Sequence, residues 1–161
     1  MKDQYTGDIN DYRKYGLLRV LQEVTGLRLG INWLKTPDDV RTDGEFRTYL
    51  NQPQKFKKYD PLLFAQLQSS IKTKRDRKIE NIIKTGILGD ALSFVSIVPD
   101  GVNGRQEHLQ SGMEYLHNAD IIFFNPMSKD SVGSLNNTSG NVFFGTMVIS
   151  NLPGTTLPKM S

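Results

Sequence analysis

Residues 119–125 read Ala-Asp-Ile-Ile-Phe-Phe-Asn, and this stretch decides the fold. Ile121–Phe124 is an unbroken apolar run bounded by polar residues, short enough to be a strand. A strand that is apolar on both faces belongs in the interior of a parallel sheet. Two more strands lie upstream. Leu92–Val98 is rich in β-branched residues and stops at Pro99-Asp100-Gly101. Leu27–Leu34 alternates Leu27, Leu29, Ile31 and Trp33 with Arg28, Gly30 and Asn32. Helical patterns fill the intervals. Asn10–Val24 places Leu17, Leu18, Leu21 and Val24 on one face, with Asp8 or Asn10 as cap and Gly26 as stop. Asp60-Pro61 opens a helical region that runs to Thr85, and Asn103–His117 supplies the next helix. Strands alternating with helices predict a three-layer α/β domain, with a mostly parallel, Rossmann-like sheet and flanking helices. The expected core is Leu17, Leu21, Leu29, Ile31, Phe64, Leu67, Ile82, Val95, Ile97, Leu116, Ile122 and Phe124.

The chain has 161 residues, the size of one ordinary domain. It contains no cysteine, which excludes disulfides, thiolate metal sites and a cysteine nucleophile. A reducing, cytoplasmic location is expected. The N-terminus has no apolar leader segment, and no apolar run is long enough for a bilayer, so no membrane partner is expected. Twenty basic against 17 acidic residues give a net charge of +3, too little for a nucleic-acid footprint by itself. Lys72, Lys74, Arg75, Arg77 and Lys78 cluster against Asp76 alone. They read as a solvated face or a phosphate-tracking patch, and no aromatics interleave there.

Ligands of open parallel sheets bind beyond the carboxyl ends of the strands. Three such ends are Lys35–Asp39, Pro99–Asp100 and Asn125-Pro126. The first carries Asp38, Asp39 and Asp43, with Arg41 among them, at the start of an unusually long connection. These carboxylates are the candidate catalytic residues. Together they suit a hard cation such as Mg²⁺, or the hydroxyls of a sugar. Arg41 and Asn125 are the candidate ligand-binding residues, because a guanidinium fork grips phosphate. A solvated acidic turn is the plain alternative. Asn125-Pro126 also matches the first two positions of the Asn/Asp-Pro-Pro-aromatic loop of amino-methyltransferases, with Met127-Ser128 in place of the rest. Neither a Gly-x-Gly-x-x-Gly turn nor a P-loop lysine is present. His108 and His117 are too far apart in sequence for a helical ligand pair, and no Gly-x-Ser-x-Gly elbow supports a triad.

Met-Lys-Asp-Gln-Tyr-Thr-Gly-Asp-Ile-Asn-Asp-Tyr-Arg-Lys-Tyr-Gly-Leu-Leu-Arg over residues 1–19, then Gly30–Asp39, Arg41–Gly44, Tyr59–Phe64 and Asp120–Phe124, carry a resemblance. Over residues 1–126 the chain resembles a family of bacterial and phage-associated proteins that open in this way. The resemblance implies no activity. Where those proteins continue with Asp-Pro-Asp-Asn-Gly, this chain has Asn125-Pro126-Met127-Ser128-Lys129. Beyond Pro126 only Lys129, Asp130 and Lys159 are charged. Residues 1–126 are therefore expected to form the α/β domain, and 127–161 a low-charge tail, poorly integrated or divergent. Its abrupt onset fits either divergence or a shifted reading frame. Two functions follow as expectations. One is an enzyme-like protein acting on a nucleotide, nucleic acid or phosphoester through the acidic strand end. The other is a non-catalytic binding protein, of bacterial or phage origin, that acts on a protein partner.

Overall fold

The computed structural model describes residues 1–40 and 46–125, and the backbone of Thr146–Ile149. The chain is α/β. It divides into two compact units, Met1–Thr25 with Thr36–Gly89, and Gly26–Lys35 with Asp90–Ser161.

The first unit is helical. Helix α1 (Ile9–Thr25) begins at Asp8, whose Oδ1 accepts the backbone N–H groups of Asn10 (2.8 Å) and Asp11 (3.0 Å). These are free donors that any helix start must satisfy. Gly26, at φ +66°, stops it as the pattern predicts. The buried face of α1 is Asp11, Tyr12, Tyr15 and Leu18. Of the expected core residues Leu17 is 63% exposed and Leu21 half-buried, and Val24, placed on the same face, is 78% exposed. The true stripe is built from tyrosines, which a count of aliphatic side chains underweights. Residues 36–58 hold a 3-10 turn at Thr48–Asn51 and the short α2 (Pro53–Phe56). Tyr49 and Leu50 from this turn are buried, so the connection contributes core of its own. The Tyr49 ring lies 5.4 Å from Tyr12, 5.8 Å from Phe56 and 6.3 Å from Phe64. Helix α3 (Pro61–Ser70) is capped by Asp60, whose Oδ1 accepts Leu63 N–H at 2.9 Å. It buries Leu63, Phe64 and Leu67. Helix α4 (Ile79–Lys84) adds Ile79 and Ile82.

The second unit is the sheet. Strands β1 (Leu29–Lys35), β2 (Leu92–Ile97) and β3 (Ile121–Asn125) are parallel, with β1 between the other two. Gly30 pairs with Leu92 and Ile122, and Asn32 with Phe94 and Phe124. Strand β4 (Thr146–Ile149) pairs antiparallel to β3, giving the order β2-β1-β3-β4. Those four residues fall in the stretch expected to be poorly integrated, yet they complete the sheet. The apolar β3 needs a neighbour on each side to satisfy its backbone, and β4 supplies one. The remaining residues after Asn125 lie outside those described. Because β2 is an edge strand, Val95 is only half-buried and Ile97 is 57% exposed, against expectation. Phe124 is also only half-buried.

Helix α5 (Val102–Tyr115) crosses from β2 to β3 and packs on the sheet face that carries Gly30 and Asn32. The approach is close at Gly112 of α5, where a Cβ would overlap the Asn32 amide, and at Gly30, which meets the turn after α5. A Cβ on Gly30 would lie 2.8 Å from the Ala119 Cβ. Leu116, Ala119 and Ile122 form a dry cluster there, with Leu92, Phe94, Met113 and Phe124 against it. Among the described residues no helix is long and apolar enough to cross a membrane.

Candidate functional site

The acidic strand end is held from within the first unit. Lys2 forms an ion pair with Asp39. Gln4 grips the same residue twice, donating from Nε2 to Asp39 Oδ1 at 3.0 Å and accepting the Asp39 backbone N–H at 2.8 Å. The Gln4 backbone N–H donates to Asp38 Oδ1 at 3.0 Å, and Thr36 N–H donates to the Met1 carbonyl at 2.8 Å. The N-terminal arm thus brings Asp38 and Asp39 together and supplies the cation that like charges at one turn require. The cation is Lys2 from 37 residues upstream, a partner that no local pattern names. Arg41 and Asp43 lie outside the described residues.

Asn125 belongs to the second unit. It ends β3, pairs with Trp33 of β1 and is 1% exposed. Parallel pairing sends the carboxyl ends of β1 and β3 out at one edge of the sheet, which is the geometry a strand-end site requires. Among the described residues no three His, Asp or Glu side chains gather as a metal centre.

A second polar constellation, unmarked by sequence reasoning, surrounds the start of α1. Asp11 is 3% exposed. Its Oδ2 accepts the Gly7 N–H at 2.8 Å and its Oδ1 accepts from Lys14 Nζ at 2.6 Å. Burial, and then the charge of Asp11, raise the pKa of the neighbouring Asp8. Burial also pushes the Tyr15 and Tyr49 phenols far up, with Asp11 adding to it in both, so both stay protonated donors. The Tyr49 hydroxyl donates to the Gly7 carbonyl at 3.1 Å. Arg77, expected on a solvated basic face, is 3% exposed and donates from Nε to the Thr6 carbonyl at 3.3 Å. Lys72, Lys74, Arg75 and Lys78 around it are exposed, as that reading predicts. The spacing Asp8-x-x-Asp11-x-x-Lys14-Tyr15 was a signal for this cluster, since steps of three and four residues share a helix face.

Nearby within the same unit is a pocket of about 270 Å³, lined by Ile9, Phe46, Thr48, Tyr49, Gln52, Lys55 and Phe56. In the sheet unit, His108 is 6% exposed and its ring centroid lies 5.4 Å from that of Phe94. His117 sits exposed at the end of α5, with Nδ1 2.8 Å from the Glu114 carbonyl. Comparison with family models, with curated proteins and with solved structures gave no match.

Proposed function

We propose that the sheet unit is a Rossmann-like domain that handles a nucleotide or phosphoester at the carboxyl edge of β1 and β3. The observation that carries this reading is the strand order. From β1 the chain moves to one side to form β2, then crosses to the other side to form β3. Loops leaving such strands diverge in opposite directions and open a crevice at the reversal, the usual ligand position in open α/β sheets. Asn125 ends β3 at this edge, and its side chain is an amide that carries both a donor and an acceptor. Asp38 and Asp39 follow β1 in the chain, and Asp43 and Arg41 follow them.

The test is thermal unfolding of the whole chain with a panel of nucleotides, each with and without Mg²⁺. A ligand present at about 100 times its Kd stabilises by about 2.7 kcal/mol, a shift of several degrees in Tm. Asn125→Asp and Asp43→Asn are expected to abolish that shift. If no nucleotide moves the wild-type Tm, the reading fails.

One observation favours a second reading, a non-catalytic protein that binds a protein partner. Leu17, Val20 and Val24 on α1 are 63%, 55% and 78% exposed, and their spacing puts them on one face. An exposed apolar stripe of this kind suits a protein interface. Recovery of one stoichiometric partner, lost on Leu17→Lys with Val20→Lys, would favour this reading over the first.

A further inference from the structure

Residues 46–59 carry Arg47, Lys55, Lys57 and Lys58 and no carboxylate. Acidic residues flank it at Glu45 and Asp60; Asp60 is committed elsewhere, since it caps α3 and accepts from Arg19 Nε at 2.9 Å. The three lysines are exposed. Aromatic rings are interleaved with them. Lys55 Nζ lies 5.3 Å from the Phe56 ring centroid and Lys58 Nζ 5.1 Å from that of Tyr59. Phe46 and Tyr59 are 68% and 71% exposed. Large rings held in water beside exposed lysines have no stabilising use in the fold.

The pocket described above opens within this segment, between Phe46 and Phe56. At about 270 Å³ it falls just below the roughly 300–1,000 Å³ of drug-sized sites, so it suits one planar ring. Its walls are fixed. Tyr49 is anchored to the Gly7 carbonyl, the Tyr12 hydroxyl donates to the Phe56 carbonyl at 2.8 Å, and Ile9 N–H donates to the Phe46 carbonyl at 3.1 Å. Gln52 at the rim brings an amide able to read a base edge.

We propose that the surface from Phe46 to Tyr59 binds single-stranded nucleic acid. One base enters the pocket between Phe46 and Phe56, a second stacks on Tyr59, and the phosphates follow Lys55, Lys57 and Lys58. A single strand is favoured because its bases leave their π-faces open for rings, whereas a duplex hides them. The basic cluster at residues 72–78 offers charge without rings, and Arg77 within it is buried. This site lies in the helical unit and does not depend on the strand-edge reading, whose test uses mononucleotides and metal.

The experiment is fluorescence anisotropy of the full chain with a labelled twelve-nucleotide oligo-dT in EDTA. Binding is expected to weaken between about 50 mM and about 200 mM salt, with a log–log slope of about −2 to −3 for three or four neutralised phosphates. Tyr59→Ala is expected to weaken binding about 5- to 100-fold, and Tyr59→Phe to restore it. Lys57→Ala with Lys58→Ala should flatten the slope by about 1.4, while Lys72→Ala with Lys74→Ala changes nothing. All these positions are exposed, so the variants keep the fold. The proposal is overturned if oligo-dT does not bind at the lower salt. It is overturned equally if an abasic strand binds as tightly, if polyglutamate binds more tightly, or if binding follows Lys72 and Lys74.

Discussion

Gly112→Ala in α5 should destabilise the sheet unit, although alanine is the better helix former. In an unobstructed helix the exchange is worth about 1 kcal/mol in favour of alanine. Here a Cβ would overlap Asn32 Nδ2, and would lie 3.1 Å from Asn32 Cγ and 3.2 Å from Phe94 Cδ1. Asn32 is fully buried in β1 between Phe94 and Phe124, so its amide has little room to retreat. Overpacking of this kind costs about 1–3 kcal/mol. The net loss is therefore about 1 kcal/mol, with a lower urea midpoint. Asn32→Ala removes the obstruction. In that background Gly112→Ala should become neutral or stabilising by up to about 1 kcal/mol, leaving only the milder Phe94 contact. The cycle thus yields a coupling of about 1–2 kcal/mol, within the range for residues in contact. The chain's single tryptophan, Trp33, is buried beside Asn32 in β1 and reports unfolding of this unit directly. If Gly112→Ala raises the midpoint of the wild-type protein, or the two changes add within about 0.5 kcal/mol, the packing of α5 on β1 is not as described.

Other outcomes follow from the same structure. Gly16→Ala in α1 should stabilise by about 0.5–1 kcal/mol, because its Cβ would meet only Leu63 Cδ2 at 3.7 Å, an ordinary contact. Leu18→Ala should cost about 2–5 kcal/mol in urea unfolding, whereas Leu17→Ala should stay within about 0.5 kcal/mol. Tyr49→Phe removes the hydrogen bond to Gly7 and should cost about 1 kcal/mol, more if the Gly7 carbonyl is left dry. Burial lowers the His108 pKa in the folded state, so the unfolded chain binds its proton first as pH falls. Stability should therefore drop as pH passes downward through about 6.5, the unfolded value, and level off once the folded imidazole also protonates. Burial also lowers the Met1 amine to about 5, so it adds a slope of the same sign in this range; urea midpoints should therefore fall more steeply with decreasing pH in wild type than in His108→Gln.

The sheet was legible because its signals are local. The apolar run of β3 announced an interior strand, and the turn residues after β2 and the cap at Asp60 marked their boundaries within a residue or two. Burial was less legible, because it depends on neighbours. Asn32 shows this most clearly. Its alternation with Ile31 and Trp33 suggests a strand with one wet face, yet β1 lies between two strands and α5 covers that face. Asn32 is thus fully buried, and neither its Oδ1 nor its Nδ2 has a hydrogen-bond partner among the described residues. Conversely, the β-branched residues of β2 read as core and are not, because strand order leaves β2 at the edge.

The acidic strand end raises a sharper question, since three aspartates close in sequence repel unless something opposes them. Arg41 lies among them in sequence, outside the described residues. For Asp39 the structure supplies Lys2, and Gln4 joins both Asp38 and Asp39. A long-range pair of this kind has a consequence for function. Lys2 is itself 8% exposed, so its charge has lost most of its water and depends on Asp39. Neutralising Asp39 should therefore loosen the N-terminal arm before it affects any ligand. Neutralising Asp43 spares this pair. Loss of nucleotide stabilisation in Asp39→Asn alone would reflect the arm. The same loss in Asp43→Asn, with the unfolding midpoint unchanged, would belong to a site.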